Sequence, residues 1–147
     1  MIRKVGMTLM EILVAIGILV ILVLVAIPAY RVGQQSTKLN GDARALLGDL
    51  RLAQQNTVAE QKTYLVKIYS NPDRYEVVRR EASDTVIKGR DLSLDVAWQN
   101  TGGFTNNEVV FTTSGAVVES GIIVLYNEVS NKTVSVEVKP SGYVQIN

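Results

Sequence analysis

The most distinctive stretch of this 147-residue chain runs from Ile12 to Ala29 and reads ILVAIGILVILVLVAIPA. None of these residues has a charged or hydrogen-bonding side chain. A bilayer core requires about 20 apolar residues in a helix that rises ~1.5 Å per residue. The stretch therefore predicts a transmembrane helix, which its flanks extend to residues 7–30. Arg3 and Lys4 precede it, so the positive-inside bias places the N-terminus in the cytoplasm and the rest of the chain outside.

Three other interpretations of this stretch are a buried core helix, a cleaved secretory signal and an ordinary single-span anchor. A buried core helix of this length and uniformity would be unusual in so small a protein. A cleaved secretory signal also has a basic start, but its apolar region is normally only ~7–15 residues long. The cleavage site would follow Ala29, and the bulky Ile27 stands two residues earlier, where such a site needs a small residue. An ordinary single-span anchor fits the length and the charge but leaves Glu11 unexplained.

Glu11 is the residue that separates a plain anchor from a more specialised helix. A carboxylate toward the middle of a spanning helix costs on the order of 2.5–3.5 kcal/mol on insertion scales, and less near the interface. An ionisable group in the membrane therefore predicts a function and a partner. A structural interpretation stays open beside it, because Thr8 and Glu11 have the spacing of a helix capping box.

The N-terminus resembles that of type IV pilins and pseudopilins, on the residues Gly6-Met7-Thr8-Leu9-Met10-Glu11 and the proline-interrupted apolar run that follows. The resemblance implies a leader peptide, residues 1–6, which a prepilin peptidase removes by cutting between Gly6 and Met7. It also implies that the new amine of Met7 is N-methylated. Glu11 of one subunit would then meet the Met7 amine of a staggered neighbour during assembly. The family most often has Phe where this chain has Met7.

Pro28 lies inside the predicted helix and not in its first turn. Proline removes one backbone hydrogen bond and collides with the preceding turn, so we expect a helix kink near this residue. Gly33 and the pair Asn40-Gly41 add further weak points. The predicted helix is therefore long, bent and locally meltable.

The helix is predicted to continue as an amphipathic segment over residues 31–61. Apolar residues recur there at spacings of three and four and form one stripe: Leu39, Ala43, Leu46, Leu50, Ala53 and Thr57/Val58. The polar residues between them are expected on the solvent side: Asp42, Arg44, Asp49, Arg51, Gln54 and Gln55. We therefore expect a half-buried helix whose apolar side packs on a sheet.

Residues 62–147 are predicted to form a globular β domain of short strands separated by Gly, Pro, Asn and Ser turns. The predicted strands are 63–69, 74–80, 85–87, 92–98, 109–112, 122–126, 133–138 and 143–146. Short strands with tight turns favour an antiparallel sheet. The predicted fold class is therefore α+β, with a long N-terminal helix, first transmembrane and then amphipathic, packed on an antiparallel β-sheet domain. The resemblance makes this domain pilin-like.

The C-terminal part adds a second resemblance, to H-type minor pseudopilins and FimT-like minor pilins. It is based on four stretches, which are Phe111–Gly115, Gly121–Tyr126, Thr133–Val138 and Ser141–Ile146. FimT-like proteins that bind DNA carry arginines around the last glycine, whereas residues 141–145 of this chain, SGYVQ, are uncharged. The basic residues Arg79, Arg80, Lys88 and Arg90 are interleaved with acidic ones. Because DNA affinity needs clustered Lys and Arg, nucleic acid is not an expected partner.

Composition argues against an enzyme. The chain has no His and no Cys, which excludes disulfides, Cys/His zinc sites, thiol nucleophiles and His-based triads. Its 15 Lys+Arg against 14 Asp+Glu indicate neither a polybasic binder nor an acidic tail. The aspartates lack calcium-loop spacing, and no phosphate-binding glycine loop is present. We predict no enzyme activity, no cofactor and no metal, although a pair of carboxylates brought together by the fold stays open.

These features together predict a non-enzymatic structural subunit, a minor pilin or pseudopilin, that assembles into a type II secretion pseudopilus or a type IV pilus. Its expected partners are other pilins or pseudopilins, the prepilin peptidase, the inner-membrane assembly platform and membrane lipid. It is expected to cross the inner membrane once, with the globular domain outside the cytoplasm, and later to join the filament. Two alternatives stay open: a single-span anchored binding domain with its ligand at residues 102–107, and a DNA-uptake minor pilin.

Overall fold

The computed structural model describes residues 8–147, without the side chains at positions 28, 29, 31 and 32. Its contacts divide the chain into two units, Met1–Gln34 and Gln35–Asn147. Each unit contains part of one long helix, and the second unit also contains all the strands described.

Helix α1 comprises Leu9–Glu60, which agrees closely with the helix predicted over residues 7–61. In the second unit its buried stripe follows the predicted spacing and consists of Leu39, Ala43, Leu46, Leu50, Ala53 and Thr57. The Thr57 hydroxyl donates to the Ala53 carbonyl at 2.8 Å and accepts the Tyr64 N–H at 3.1 Å. Gln61 follows the helix in the left-handed region at φ 54°, a conformation common just past helix C-termini.

Eight strands form two four-stranded antiparallel sheets. They are β1 (Thr63–Ser70), β2 (Asp73–Arg80), β3 (Thr85–Asp91), β4 (Val96–Thr101), β5 (Glu108–Val110), β6 (Gly121–Asn127), β7 (Lys132–Val138) and β8 (Val144–Ile146). The first sheet has the order β3-β2-β1-β5, and the second has the order β4-β6-β7-β8. A single helical turn, Thr105–Asn107, precedes β5.

The α+β fold class is confirmed, and its strands divide between two sheets where the sequence suggested one. The second edge of β1 is taken by β5, so β4 pairs with β6. Both sheets bury side chains in the core that the helix stripe covers, including Val66, Val77, Ile123 and Val136. Alternating residues mark the buried face of a strand in either arrangement. The division into two sheets is therefore a matter of long-range pairing.

The largest errors in the predicted strand boundaries fall at β3 and β4. The third strand was expected to end at Ile87, but β3 continues to Asp91 because it pairs along β2. The fourth was expected from Leu92, but β4 begins at Val96. A turn intervenes, in which the Val96 N–H donates to the Ser93 carbonyl at 3.0 Å. The alternation of Leu and polar residues over 92–95 therefore imitated a strand.

Candidate functional site

The first turn of α1 carries the capping geometry that its sequence allowed. The Thr8 N–H donates to Glu11 Oε2 at 3.5 Å, and the Glu11 N–H donates to Thr8 Oγ1 at 3.3 Å. Both distances are at or beyond the long end for N–H···O hydrogen bonds, so the cap is weak. Glu11 is exposed, and its carboxylate lies one turn from the start of the helix. The geometry therefore includes the capping interaction and also leaves the carboxylate accessible.

The segment that follows is apolar and exposed. Leu9–Ile27 is long and apolar enough to cross a membrane, and none of its residues is buried in the structure. The exposed fraction of Leu9 is 82% and that of Val25 is 70%. A continuous apolar surface of this kind marks a membrane or protein contact, because water solvates it poorly. This segment is thus the main candidate for an anchoring and assembly surface.

The remaining predicted sites of the N-terminal region are less fully described. Gly6 and Met7, the predicted cleavage and methylation positions, lie outside the described residues. Helix α1 is assigned continuously through Pro28. The kink at Pro28 stays a prediction.

Two carboxylates of α1 that were expected to face solvent are buried, which corrects the prediction for the polar side of the helix. Asp49 is 3% exposed and Asp42 is 7% exposed. Asp49 accepts the Tyr75 hydroxyl at 2.7 Å and the Lys88 ammonium at 2.5 Å. Burial, together with the hydrogen bond to Asp49, raises the pKa of Tyr75 well above its ordinary value. Asp42 accepts the backbone N–H of Ser93 at 2.9 Å.

The sequence did indicate the position of these two residues on the helix, although not their buried partners. At about 100° per residue, Asp42 and Asp49 lie within roughly 80° of the centre of the stripe that includes Leu46. They therefore lie along its border and not on the opposite face. In the structure they connect α1 to the strand unit through polar contacts.

Two glycine turns of the C-terminal region meet α1 at Gln54. Gln54 Nε2 donates to the Gly115 carbonyl at 2.6 Å. Gly142 adopts φ +81°, and a Cβ there would lie 1.9 Å from the Gly115 oxygen and 2.5 Å from Gln54 Nε2. Only glycine fits this position. The stretches quoted for the C-terminal resemblance thus build the junction between helix and strands.

Each basic residue of the cluster at β2 and β3 has a carboxylate partner. Arg79 lies 3.2 Å from Glu81, and Arg80 lies 2.6 Å from Glu108. Lys88 and Arg90 both lie within 4.0 Å of Asp49. The positive charge of the cluster is therefore locally compensated, and this surface is poorly suited to a phosphate backbone.

The loop at residues 102–107, the predicted ligand site of the anchored-domain alternative, is pinned to the domain. Phe104 is buried, with 5% of its surface exposed. Glu119 accepts both the Thr105 N–H and the Thr105 hydroxyl at 2.7 Å. The backbone hydrogen bond from Thr105, followed by the hydroxyl, lowers the pKa of Glu119. The loop is thus held by contacts within the domain.

Within residues 8–147, no cluster of three or more metal-ligating side chains is arranged to hold a metal ion. The sequence left open a catalytic pair of carboxylates. The two buried carboxylates, Asp42 and Asp49, do not form such a pair, because their hydrogen-bond partners are hydroxyl, ammonium and N–H donors.

Comparison with known proteins identifies the second unit. The family model described as "Type II transport protein GspH" matches residues 42–142. No curated protein matches the sequence significantly.

Solved structures of minor pilins and pseudopilins share the fold. The minor pseudopilin EpsH from the Type 2 Secretion System of Vibrio cholerae superposes with a TM-score of 0.64 at 12% identity, over 75% of this chain and 96% of that one. The type IV minor pilin FimU of Pseudomonas aeruginosa superposes with a TM-score of 0.62 at 14% identity, over 76% of this chain and 90% of that one.

The family match covers more than half of the chain and includes the glycine junction and the buried polar contacts of α1. The fold of the solved structures agrees with it, which confirms the resemblance found in the sequence. The chain belongs to the GspH family of type II transport proteins and has the type IV pilin-like fold that these minor pseudopilin and minor pilin structures share.

Proposed function

We propose that this protein is a non-enzymatic subunit of a type II secretion pseudopilus, held in the inner membrane before assembly. The proposal is carried by the exposed apolar helix Leu9–Ile27, which has one carboxylate and continues into a GspH-family domain. Membrane lipid would cover the helix before assembly, and other pseudopilins would cover it in the filament. The other partners are the prepilin peptidase and the membrane assembly platform.

Processing at the N-terminus is the first step of this proposal. The prepilin peptidase cuts between Gly6 and Met7, which removes Arg3 and Lys4 and frees the Met7 amine. N-methylation leaves that amine positively charged. The mature helix then begins with a cation four residues before Glu11.

The second step is recruitment through Glu11. Its carboxylate pairs with the Met7 amine of a neighbouring subunit, and two unit charges ~4 Å apart attract by ~4 kcal/mol at an effective dielectric of ~20. Desolvation offsets much of this gain, so the pair contributes selectivity more than stability. A subunit out of register would leave a charge unpaired in hydrocarbon. The weak cap supports this pairing, because Glu11 can leave its long hydrogen bonds with Thr8 at little cost and bind the amine instead.

The mass of the protein extracted from native membranes tests the processing step. We expect a chain that starts at Met7 with one added methyl group. A Gly6→Leu variant serves as the control and should keep its leader. An intact leader on the wild-type chain, or a start near residue 30, would instead support the anchored binding domain.

Three substitutions separate the charge of Glu11 from its capping role. Glu11→Leu removes both, Glu11→Gln keeps the capping acceptor without charge, and Thr8→Val keeps the charge without the hydroxyl. We expect all three variants to be inserted and cleaved. Only Thr8→Val should still cross-link to sister pseudopilins in the membrane. Normal recruitment of Glu11→Leu would refute the pairing, and loss with Thr8→Val but not Glu11→Gln would assign Glu11 to the cap alone.

A further inference from the structure

Leu94 is the most exposed of the large apolar side chains described, with 83% of its surface accessible. It lies at the tip of the turn over residues 93–96. Val129, which is 50% exposed, lies on the neighbouring turn over residues 128–131. The two turns are joined by the Glu128 N–H, which donates to the Asp95 carbonyl at 3.0 Å. We call these two turns the apolar lip.

Helix α1 holds the lip in place at two points. Gln35 Nε2 donates to Asp95 Oδ2 at 3.0 Å. About two helical turns further along α1, Asp42 accepts both the N–H and the hydroxyl of Ser93, at 2.9 and 3.2 Å. Asp95 itself adopts φ 70°, a left-handed conformation that aspartate tolerates better than most residues. Because the turn is already ordered, burying Leu94 against a partner loses little conformational entropy.

The lip lies beside the residue at which the second unit begins. Gln35 follows Ile27, the last residue of the apolar segment, by only eight positions. Eight residues reach at most about 29 Å when fully extended and about 12 Å as a helix. The headgroup layer is itself about 5–8 Å thick. The tether is therefore short enough for the lip to reach the surface of a membrane that holds the segment.

We propose that the apolar lip docks on the membrane that holds the helix, with Leu94 and Val129 buried at the boundary between headgroups and acyl chains. This inference rests on the membrane anchoring in the proposed function. The turns carry Asp95 and Glu128 and are followed by Lys132, so no excess positive charge draws them to anionic lipid. Apolar burial drives the contact, which is therefore insensitive to salt. It orients the globular unit on the bilayer until the subunit leaves for the filament.

Single-cysteine labelling of the full chain tests the lip directly, because the sequence contains no cysteine. Leu94→Cys and Val129→Cys carry an environment-sensitive fluorophore in phosphatidylcholine vesicles with nitroxide-labelled lipid. Val86→Cys is the matched control, since Val86 is 54% exposed and lies at the end of β3 remote from the lip. We expect lipid quenching at positions 94 and 129 but not at 86.

A second substitution gives the size of the effect. With the fluorophore at position 129, Leu94→Asp should lower the ratio of lipid-bound to free lip about tenfold, from the loss of one buried aliphatic side chain. Val86→Asp should leave that ratio unchanged. Equal quenching at 94, 129 and 86 would overturn the proposal.

Two further outcomes of the labelling experiment show which part of the proposal is wrong. A spectral shift at position 94 that comes without lipid quenching and disappears when the protein is diluted in lipid would identify a second copy of the chain as the occupant, which also overturns the proposal. A label at Leu19→Cys reports the helix itself. Lipid quenching at 19 without quenching at the lip refutes the lip alone, whereas no quenching at 19 refutes the membrane anchoring.

Discussion

Replacing Asp49 by alanine removes the buried acceptor that connects α1 to the first sheet. The carboxylate is 3% exposed and accepts the Tyr75 hydroxyl at 2.7 Å and the Lys88 ammonium at 2.5 Å. In the variant the Tyr75 hydroxyl stays buried, because Tyr75 is only 1% exposed. Lys88 has 41% of its side chain exposed and returns to water.

The two contacts therefore differ in what their loss costs. A buried donor left without a partner costs about 1–3 kcal/mol, and a hydrogen bond to a charged group is worth ~1.5–3 kcal/mol. The solvent-screened pair with Lys88 contributes at most ~1 kcal/mol. We therefore expect Asp49→Ala to lower the free energy of unfolding by about 2–3 kcal/mol. Asp49→Asn keeps an acceptor for Tyr75, so its loss should be about 1 kcal/mol.

Denaturant unfolding of the full chain in detergent provides the assay. Trp98 is the single tryptophan, and its ring lies edge-on to Tyr75 with the centroids 6.4 Å apart. Its fluorescence therefore reports on the site itself. Tyr75→Phe, alone and combined with Asp49→Ala, completes a double-mutant cycle.

The expected coupling between Asp49 and Tyr75 is about 1–2 kcal/mol, since each single variant removes the same hydrogen bond. A coupling near zero, with Asp49→Ala as stable as the wild type, would refute the reasoning. That result would mean that the cost of desolvating the carboxylate cancels its hydrogen bonds.

Three further predictions concern pH and glycine geometry. Because the pKa of Tyr75 is raised, the folded state keeps the phenol proton above pH 10 while the unfolded state loses it. The free energy of unfolding is therefore unaffected below about pH 10 and then falls by up to ~1.4 kcal/mol per pH unit. Tyr75→Phe should flatten this slope in alkaline denaturation curves, and an unchanged slope would contradict the assignment. The lowered pKa of Glu119 has the opposite sign, so the contact with Thr105 is present above the ordinary glutamate pKa and is lost as the pH falls through the folded value. The protection of the Thr105 amide against hydrogen exchange should fall over that range in the wild type and be absent at every pH in Glu119→Ala. Glu119→Gln keeps an acceptor for the Thr105 N–H and should show protection that does not change with pH. In thermal melts, Gly142→Ala should lower the free energy of unfolding by more than about 2 kcal/mol, because its backbone is left-handed and the new Cβ collides with the Gly115 carbonyl. Gly48→Ala is the control, since a Cβ there meets nothing within 4 Å. It should be neutral or stabilising by up to ~1 kcal/mol.

Local pattern was sufficient to predict the helix and most strand positions. The stripe from Leu39 to Thr57 is buried as its spacing predicted, and α1 ends one residue before the expected position. Helical periodicity and strand alternation are properties of neighbouring residues, so they can be read along the chain. The capping interaction between Thr8 and Glu11 was predictable for the same reason.

Contacts between distant parts of the chain were not predictable in this way. The pairing of β1 with β5, the burial of Asp42 and Asp49, and the turn that replaced the start of the fourth strand all depend on partners tens of residues away. The hydrogen bonds from Tyr75 and Lys88 offset the free-energy cost of burying Asp49, and only the assembled sheet brings these two residues to the helix. The sequence by itself determined an apolar helix with one acidic residue near its start, because those features are local. The tertiary structure decided which polar residues are buried and how the strands divide, because a charge leaves water only where the fold supplies its hydrogen-bond donors.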